Sequence, residues 1–292
     1  MRDRIQLKAY AKINLGLDVV GRREDGYHEV RMIMQTIKLF DKLTFTLLDE
    51  DVIRLKTNLG FLSVDENNLV YKAVKLLKDT YGVKKGMDID LFKVIPVAAG
   101  MAGGSTDCAT ALFGASKLFG LNLSQKELME LGVKLGADVP YCVMRGTALS
   151  EGIGEVLTPL PPLPDCTILI AKPPVSVSTK FVYENLDAKP SYEHPDIDGM
   201  IKEIENGNVK GIADKLGNVL ELVTIPEYPV IDEIKKYMKD NGALGAMMSG
   251  SGPTVFGIYE DEEKALNVKS KLLESKMAGH AFVVKPFNVK SR

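Results

Sequence analysis

Twelve consecutive residues, Pro96-Val-Ala-Ala-Gly-Met-Ala-Gly-Gly-Ser-Thr-Asp107, carry the plainest chemical signal in the chain. They come after an extended run from Met87 to Ile95 and open into a helical pattern. Ala109, Leu112, Ala115, Leu118 and Phe119 recur at helix spacing until Gly120 stops the run. Gly100, Gly103 and Gly104 free the backbone to curl, and Ser105, Thr106 and Asp107 are good helix-start residues. A glycine-rich turn feeding a helix N-terminus aims several N–H groups, and the positive end of the helix dipole, at one point. That point suits a phosphate. Neither standard phosphate-loop spelling is present: no lysine comes after the glycines, and Gly100-x-x-Gly103-Gly104 is not G-x-G-x-x-G. A tight strand-to-helix turn with no ligand has a similar composition.

Other candidates are scattered. Lys12 sits in a strand pattern among Ala9, Ala11 and Ile13, where an ammonium needs a partner or must snorkel to water. Asn14, two residues on, shares its face. Asp138 lies just past a helix end, where the dipole disfavours a negative charge, so it either pairs with a cation or forms a turn before Pro140. If Lys12 and Asp138 meet, the carboxylate can take a proton from a substrate hydroxyl. The ammonium would then steady both the carboxylate and the transferring phosphoryl group. His28, after Asp25-Gly26-Tyr27, is either an ordinary hydrogen bonder or, with the flat face of Tyr27, a reader of a polar ring. Ser249-Gly250-Ser251-Gly252 is a second flexible cluster with hydroxyls. A helix-to-strand turn looks the same, but two such clusters together point toward a polyphosphate ligand.

The elements that must position these groups alternate without a long βαβ series, so the fold class read from the chain is α+β. Ile5–Tyr10 and Ile13–Val20 read as two strands, and Leu43–Leu48 with Val52–Lys56 as a hairpin around Asp49–Asp51. A helix starts near Asp65 and closes at Gly82, and Ser124-x-x-Glu127 is a capping box for another. Further helical patterns lie at 196–205, 209–222, 230–240 and 260–275, with strands at 167–171, 255–259 and 281–286. Four of the fourteen prolines fall within Pro159–Pro164, which reads as a connector dividing the chain into domains 1–158 and 159–292.

Composition excludes some classes. A chain of 292 residues with 45% hydrophobic and 26% charged residues is ordinary for a globular protein. Its net charge of −2 gives no reason to expect nucleic acid or an acidic membrane surface as partner. The three cysteines form no C-x-x-C pair, so no metal site or disulfide framework is expected and a reducing cytoplasm fits best. No signal peptide or membrane-spanning run is apparent.

Taken together, the motifs resemble a known family. Pro96–Asp107 is similar to the P-x-x-x-G-L-[AG]-G-S-S phosphate loop of the GHMP kinase superfamily, with Met101 in place of leucine and an additional glycine. Ala11–His28, Leu135-Gly-Ala-Asp-Val-Pro140 and Met248–Gly257 resemble one branch of it, whose acceptor is the cytidine diphosphate derivative of methylerythritol. The resemblance covers essentially the whole chain. It implies a two-domain fold with the active site in a cleft between domains, and ATP as phosphoryl donor with Mg²⁺ carried on the ATP. Lys12 and Asp138 would be the catalytic pair, Asp138 acting as base on the 2-hydroxyl of the acceptor. Pro96, Ala98, Ala99, Gly100, Met101, Ala102, Gly103, Gly104, Ser105, Thr106 and Asp107 would wrap the ATP phosphates, with Asn68 and Lys93 near the adenine. Asn14, Tyr27 and His28 would hold the acceptor, with Thr179, Ser249 and Gly250 beside it. Tyr183, or Phe181 close by in sequence, would stack on the cytosine. The small-molecule substrates would be the only partners, to a monomer or weak homodimer. Two further readings are a homoserine or mevalonate kinase type, against which Asp25-Gly-Tyr-His28 speaks, and a non-catalytic nucleotide sensor on the same fold.

Overall fold

The computed structural model describes residues 3–187 and 191–289. In chain order its elements begin with β1 (Arg4–Arg22), β2 (His28–Leu48), β3 (Ile53–Thr57), α1 (Leu69–Tyr81) and β4 (Gly86–Phe92). Next come α2 (Gly103–Leu118), α3 (Gln125–Val133), α4 (Val139–Met144), β5 (Thr147–Glu151), β6 (Val156–Pro159) and β7 (Thr167–Lys172). After these lie α5 (Thr179–Leu186), α6 (Ile197–Glu205), α7 (Val209–Asp214), β8 (Gly217–Asn218) and α8 (Glu221–Glu227). The chain closes with α9 (Val230–Asp240), β9 (Gly245–Met248), β10 (Val255–Tyr259), α10 (Glu262–Glu274) and β11 (His280–Val284). The α+β expectation holds.

These elements form two compact units that interleave along the chain. The first comprises residues 1–11, 39–97 and 102–144, and the second 12–38, 98–101 and 145–292. The glycine-rich stretch therefore contributes to both.

In the first unit β4 lies between β2 and β3. It pairs antiparallel with β2 (Phe45 opposite Ile89) and parallel with β3 (Leu55 opposite Ile89). The expected hairpin of 43–48 with 52–56 is thus corrected: Asp49–Asp51 carries the chain past the edge of β2, and β4 fills the gap. Helices α1 and α2 pack on each other, and α2 also meets α3 and α4. Phe45, Leu43, Leu77, Val74 and Leu112 are buried here. Gly114 has no room for a side chain, because a Cβ there would stand 2.8 Å from the Phe45 ring. That absence lets α2 come down onto β2. The Ser124–Glu127 capping box forms as read, and Gly82 closes α1 in the left-handed conformation.

In the second unit the later part of β1 pairs parallel with β8, Gly16 opposite Gly217. The opening of β2 pairs antiparallel with β5, which turns back into β6. A separate antiparallel sheet runs in the order β11-β7-β10-β9, with α9 and α10 packed against it. Three readings are corrected here. The two expected opening strands are one, because Ala11 and Lys12 lie within a single unbroken strand, β1. The pattern at 209–222 is α7, β8 and the start of α8, and α5 and β9 add elements that the sequence pattern does not show. Short elements offer too few residues for a period to emerge.

Candidate active site

The helix after the glycine-rich loop starts earlier than its composition suggests. Gly103 and Gly104 are its first residues, and its N-cap is Ala102, in the left-handed conformation with no side-chain cap. Ser105, Thr106 and Asp107 therefore lie inside the helix and do not cap it. Positive φ recurs at every second residue, Ala98 (50°), Gly100 (68°) and Ala102 (54°). Left-handed backbone at alternate residues curls the loop tightly just before the N-terminus of α2. Two of the three positions are alanines, which adopt this conformation at a cost of about 1–2 kcal/mol each. Such local strain clusters at functional sites.

Within the first unit, Asn68 caps α1, its side chain accepting from the Val70 N–H at 2.9 Å and donating to the Ser63 carbonyl at 2.8 Å. Gly104 lies close to α1, 3.6 Å from Leu69 measured from the place of a Cβ. Lys93 is buried, and its ammonium donates to Asp41 and, at 2.6 Å, to Asp107. Burial raises the Asp107 carboxyl well above the usual carboxylate range; the like charge of Asp41 adds to this and Lys93 opposes it. Burial draws the Lys93 ammonium down, but the two carboxylates prevail and its pKa is raised. Asp138, half-buried, precedes α4, and its carbonyl accepts from the Cys142 N–H at 3.1 Å.

Within the second unit, the loop's opening residues meet the second glycine cluster. Ser249 donates through Oγ to the Gly100 carbonyl at 2.9 Å, and the Lys12 N–H donates to the Met101 carbonyl at 3.2 Å. Lys12 is 5% exposed, and its ammonium donates to Asn14 Oδ1 at 2.7 Å, as the shared strand face anticipates. Gly250 lies against Gly100, and a Cβ there would be 3.7 Å from Asn14 Oδ1. Lys12, Asn14, Gly100, Met101, Ser249 and Gly250 are thus one neighbourhood. Asn218 supports it by donating to the carbonyls of Met248 (2.9 Å) and Gly250 (2.8 Å). Nothing in the sequence singles out Asn218; a lone asparagine after glycine looks like any turn.

A second group lies around His28, whose Nε2 is 2.7 Å from Asp187 Oδ1, with Arg22 on the other carboxylate oxygen at 3.1 Å. The ring packed on His28 is that of Tyr183, with centroids 4.8 Å apart and planes at 36°. Tyr27 is exposed. Thr179 shares a hydroxyl–hydroxyl hydrogen bond of 2.9 Å with Ser251. A cavity of about 360 Å³ opens beside His28, lined also by Arg22, Asp187, Tyr192 and His194. That volume is in the range of small-molecule pockets.

Among the described residues, no group of three or more His, Cys, Asp or Glu side chains gathers to hold a metal ion, and no helix is long and apolar enough to cross a membrane. Cysteine chemistry is also ill served: all three thiols are buried, and burial pushes that of Cys166 up to about 12.

The class of the protein is given by its family matches. Residues 68–146 match the GHMP kinases N terminal domain and residues 200–279 match GHMP kinases C terminal. A homoserine kinase structure from Cytophaga hutchinsonii superimposes with a TM-score of 0.79 at 22% identity, covering 99% of this chain and 96% of that one, which speaks for the fold alone. A crystal structure of 4-(cytidine 5'-diphospho)-2C-methyl-D-erythritol kinase superimposes with a TM-score of 0.83 at 30% identity, covering 98% of this chain and 100% of the other. The 4-diphosphocytidyl-2-C-methyl-D-erythritol kinase of Lachnospira eligens is 60% identical over 97% of this chain and 98% of its own. The chain belongs to the GHMP kinase superfamily and, within it, to the 4-diphosphocytidyl-2-C-methyl-D-erythritol kinases, ATP-using enzymes of the non-mevalonate isoprenoid pathway.

Proposed function

We propose that the protein transfers the γ-phosphoryl group of ATP directly to the 2-hydroxyl of 4-(cytidine 5'-diphospho)-2-C-methyl-D-erythritol. The observation that carries the reading is the glycine-rich loop, left-handed at Ala98, Gly100 and Ala102, leading directly into the uncapped N-terminus of α2. Backbone N–H groups and a helix dipole can hold a triphosphate without a loop lysine, which suits a chain with a net charge of −2. On this reading the loop from Pro96 to Asp107 takes the ATP phosphates, with Asn68 toward the adenine. Mg²⁺ would arrive on the nucleotide, carried by its phosphate oxygens.

Asp138 is the base toward the hydroxyl and Lys12 the cation that offsets charge on the transferring group. Asn14 steadies the Lys12 ammonium, which is buried enough for its charge to act at short range. On the acceptor side, His28 and Tyr183 present a hydrogen-bonding edge and a ring face beside a cavity, features that suit a cytosine. Tyr27, Thr179, Ser249 and Gly250 border the same acceptor. The division into domains 1–158 and 159–292 belongs to this proposal; each half contains one of the two family matches.

The test is ATP consumption with the cytidine diphosphate acceptor beside homoserine and mevalonate. Turnover with the first alone is expected; turnover with either of the others, or with none, overturns the substrate. Asp138→Asn keeps shape and removes the base, so turnover should fall by about 10²-fold or more while ATP still binds. Turnover near wild type in that variant removes Asp138 from the mechanism.

A further inference from the structure

The side chains of Asp41, Lys93 and Asp107 form a buried charged cluster to which the phosphoryl-transfer scheme gives no chemical step. Asp41, Lys93 and Asp107 are at most 8% exposed. Removing ions from water is costly unless partners compensate. What the cluster holds in place is therefore informative. One oxygen of Asp41 accepts from the N–H groups of Val94 (2.5 Å) and Ile95 (2.8 Å), and the other takes the Lys93 ammonium. The Lys93 backbone is pinned on both sides by Asn58, which accepts from its N–H at 2.7 Å and donates to its carbonyl at 3.1 Å. The same ammonium donates to Asp107 in the second turn of α2.

These contacts tie down the residues just before Pro96 and the helix just after Gly104, the entry and the exit of the glycine-rich loop. The ammonium also lies under the first helical residue. A Cβ on Gly103 would stand 3.4 Å from Lys93 Nζ and 3.2 Å from Ile95 Cγ2. We propose that Lys93, held between Asp41 and Asp107, is a positioning residue that clamps both ends of the phosphate loop and sets the aim of its N–H groups, without touching the nucleotide. This replaces the expectation of Lys93 beside the adenine, because an ammonium enclosed by two carboxylates has little left to offer a base. The inference rests on the reading that the loop holds the ATP phosphates.

A clamp and a base contact differ in what they discriminate. The clamp acts on any polyphosphate; a contact to adenine acts on ATP alone. Affinities of ATP, GTP and inorganic tripolyphosphate would be measured by calorimetry for the wild type, Lys93→Met, Asp107→Leu and Asp107→Asn, with the acceptor KM alongside. Lys93→Met and Asp107→Leu should weaken all three ligands by a common factor of about tenfold, since small misplacements of aligned groups are costly. The acceptor KM should stay within about twofold, and the double variant should be little worse than either single one, because both break the same link. Asp107→Asn retains an oxygen for the lysine but gives up the charge of the pair, so its loss should be clearly smaller than that of Asp107→Leu. Selective loss of ATP affinity in Lys93→Met, with tripolyphosphate unchanged, overturns the clamp; so does an unaffected Asp107→Leu. Should Lys93→Met not fold, the Asp107 pair decides alone. A wild-type protein that binds none of the three ligands would instead remove the loop reading on which the clamp depends.

Discussion

Two glycine-rich segments, Pro96–Asp107 and Met248–Thr254, resemble each other in composition and diverge in the element that each one enters. Both place positive φ at alternate residues, 98, 100 and 102 in the first, 250 and 252 in the second. The first runs into α2, whose N-terminus no side chain caps. The second runs into β10, a central strand between β7 and β9 whose backbone is committed to two ladders. Its own carbonyls are claimed by Asn218 and by Thr224, which donates to the Ser251 carbonyl at 3.3 Å. Glycine makes both turns possible. The next element decides whether the turn offers a field to an anion, because only a helix leaves aligned N–H groups at its start.

Substitutions can break or sharpen that contrast. The largest effect is expected at Gly100. A Cβ there would sit 2.2 Å from the Ser249 carbonyl oxygen, on a backbone with φ of 68°. Gly100→Ala should cost roughly 3–4 kcal/mol of stability and lower kcat/KM for ATP at least about tenfold, read by denaturant melts and steady-state kinetics. Gly250→Ala has more room: its Cβ would meet the Gly100 carbonyl oxygen at 3.2 Å and Gly100 Cα at 3.4 Å, with φ of 59°. Its cost should be chiefly the backbone strain, about 1–2 kcal/mol. Equal losses at the two positions would show that neither loop is more tightly built than the other.

A smaller difference concerns pH, since only the first segment reaches a buried carboxyl. The folded-state pKa of Asp107 is raised, chiefly by burial, so its contribution to stability is fully present below the ordinary value of 3.8 and is lost as pH rises through the raised one. Asp107→Asn cannot titrate. Its melting temperature should therefore gain on the wild type as pH climbs from about 4, and the gain should vanish at the acid end. A gap that is flat with pH would contradict the raised value. The smallest effect is expected for Ala102→Gly. Relief of left-handed strain, about 1–2 kcal/mol, outweighs the added chain entropy of glycine, about 0.5–1 kcal/mol. Stability should rise by roughly 0.5 kcal/mol with ATP affinity unchanged; a loss of stability would mean that Ala102 is unstrained.

Much of the molecule can be read along the chain. The capping box at Ser124, the stop at Gly82, the helix at 230–240 and the α+β class all rest on local patterns of a few residues, and each appears where its pattern lies. A strand period of two pairs Lys12 with Asn14, and their side chains are hydrogen-bonded. The hairpin expected at 43–56 does not form because strand partners are chosen by the whole sheet. Strand β4, further along the chain, is the partner that both strands take.

The site divides along the same line. Residue types alone single out the glycine loop, Lys12, Asp138 and His28, since glycine, ammonium, carboxylate and imidazole each announce their chemistry. Only the tertiary structure decided that two alanines, Ala98 and Ala102, adopt the left-handed backbone of the loop, because no local preference favours it. It alone enclosed Lys93 between Asp41 and Asp107, set Asp187 on His28, and assigned Asn218 to hold the second loop. Partners tens of residues apart meet through packing, and packing has no period that a sequence can display.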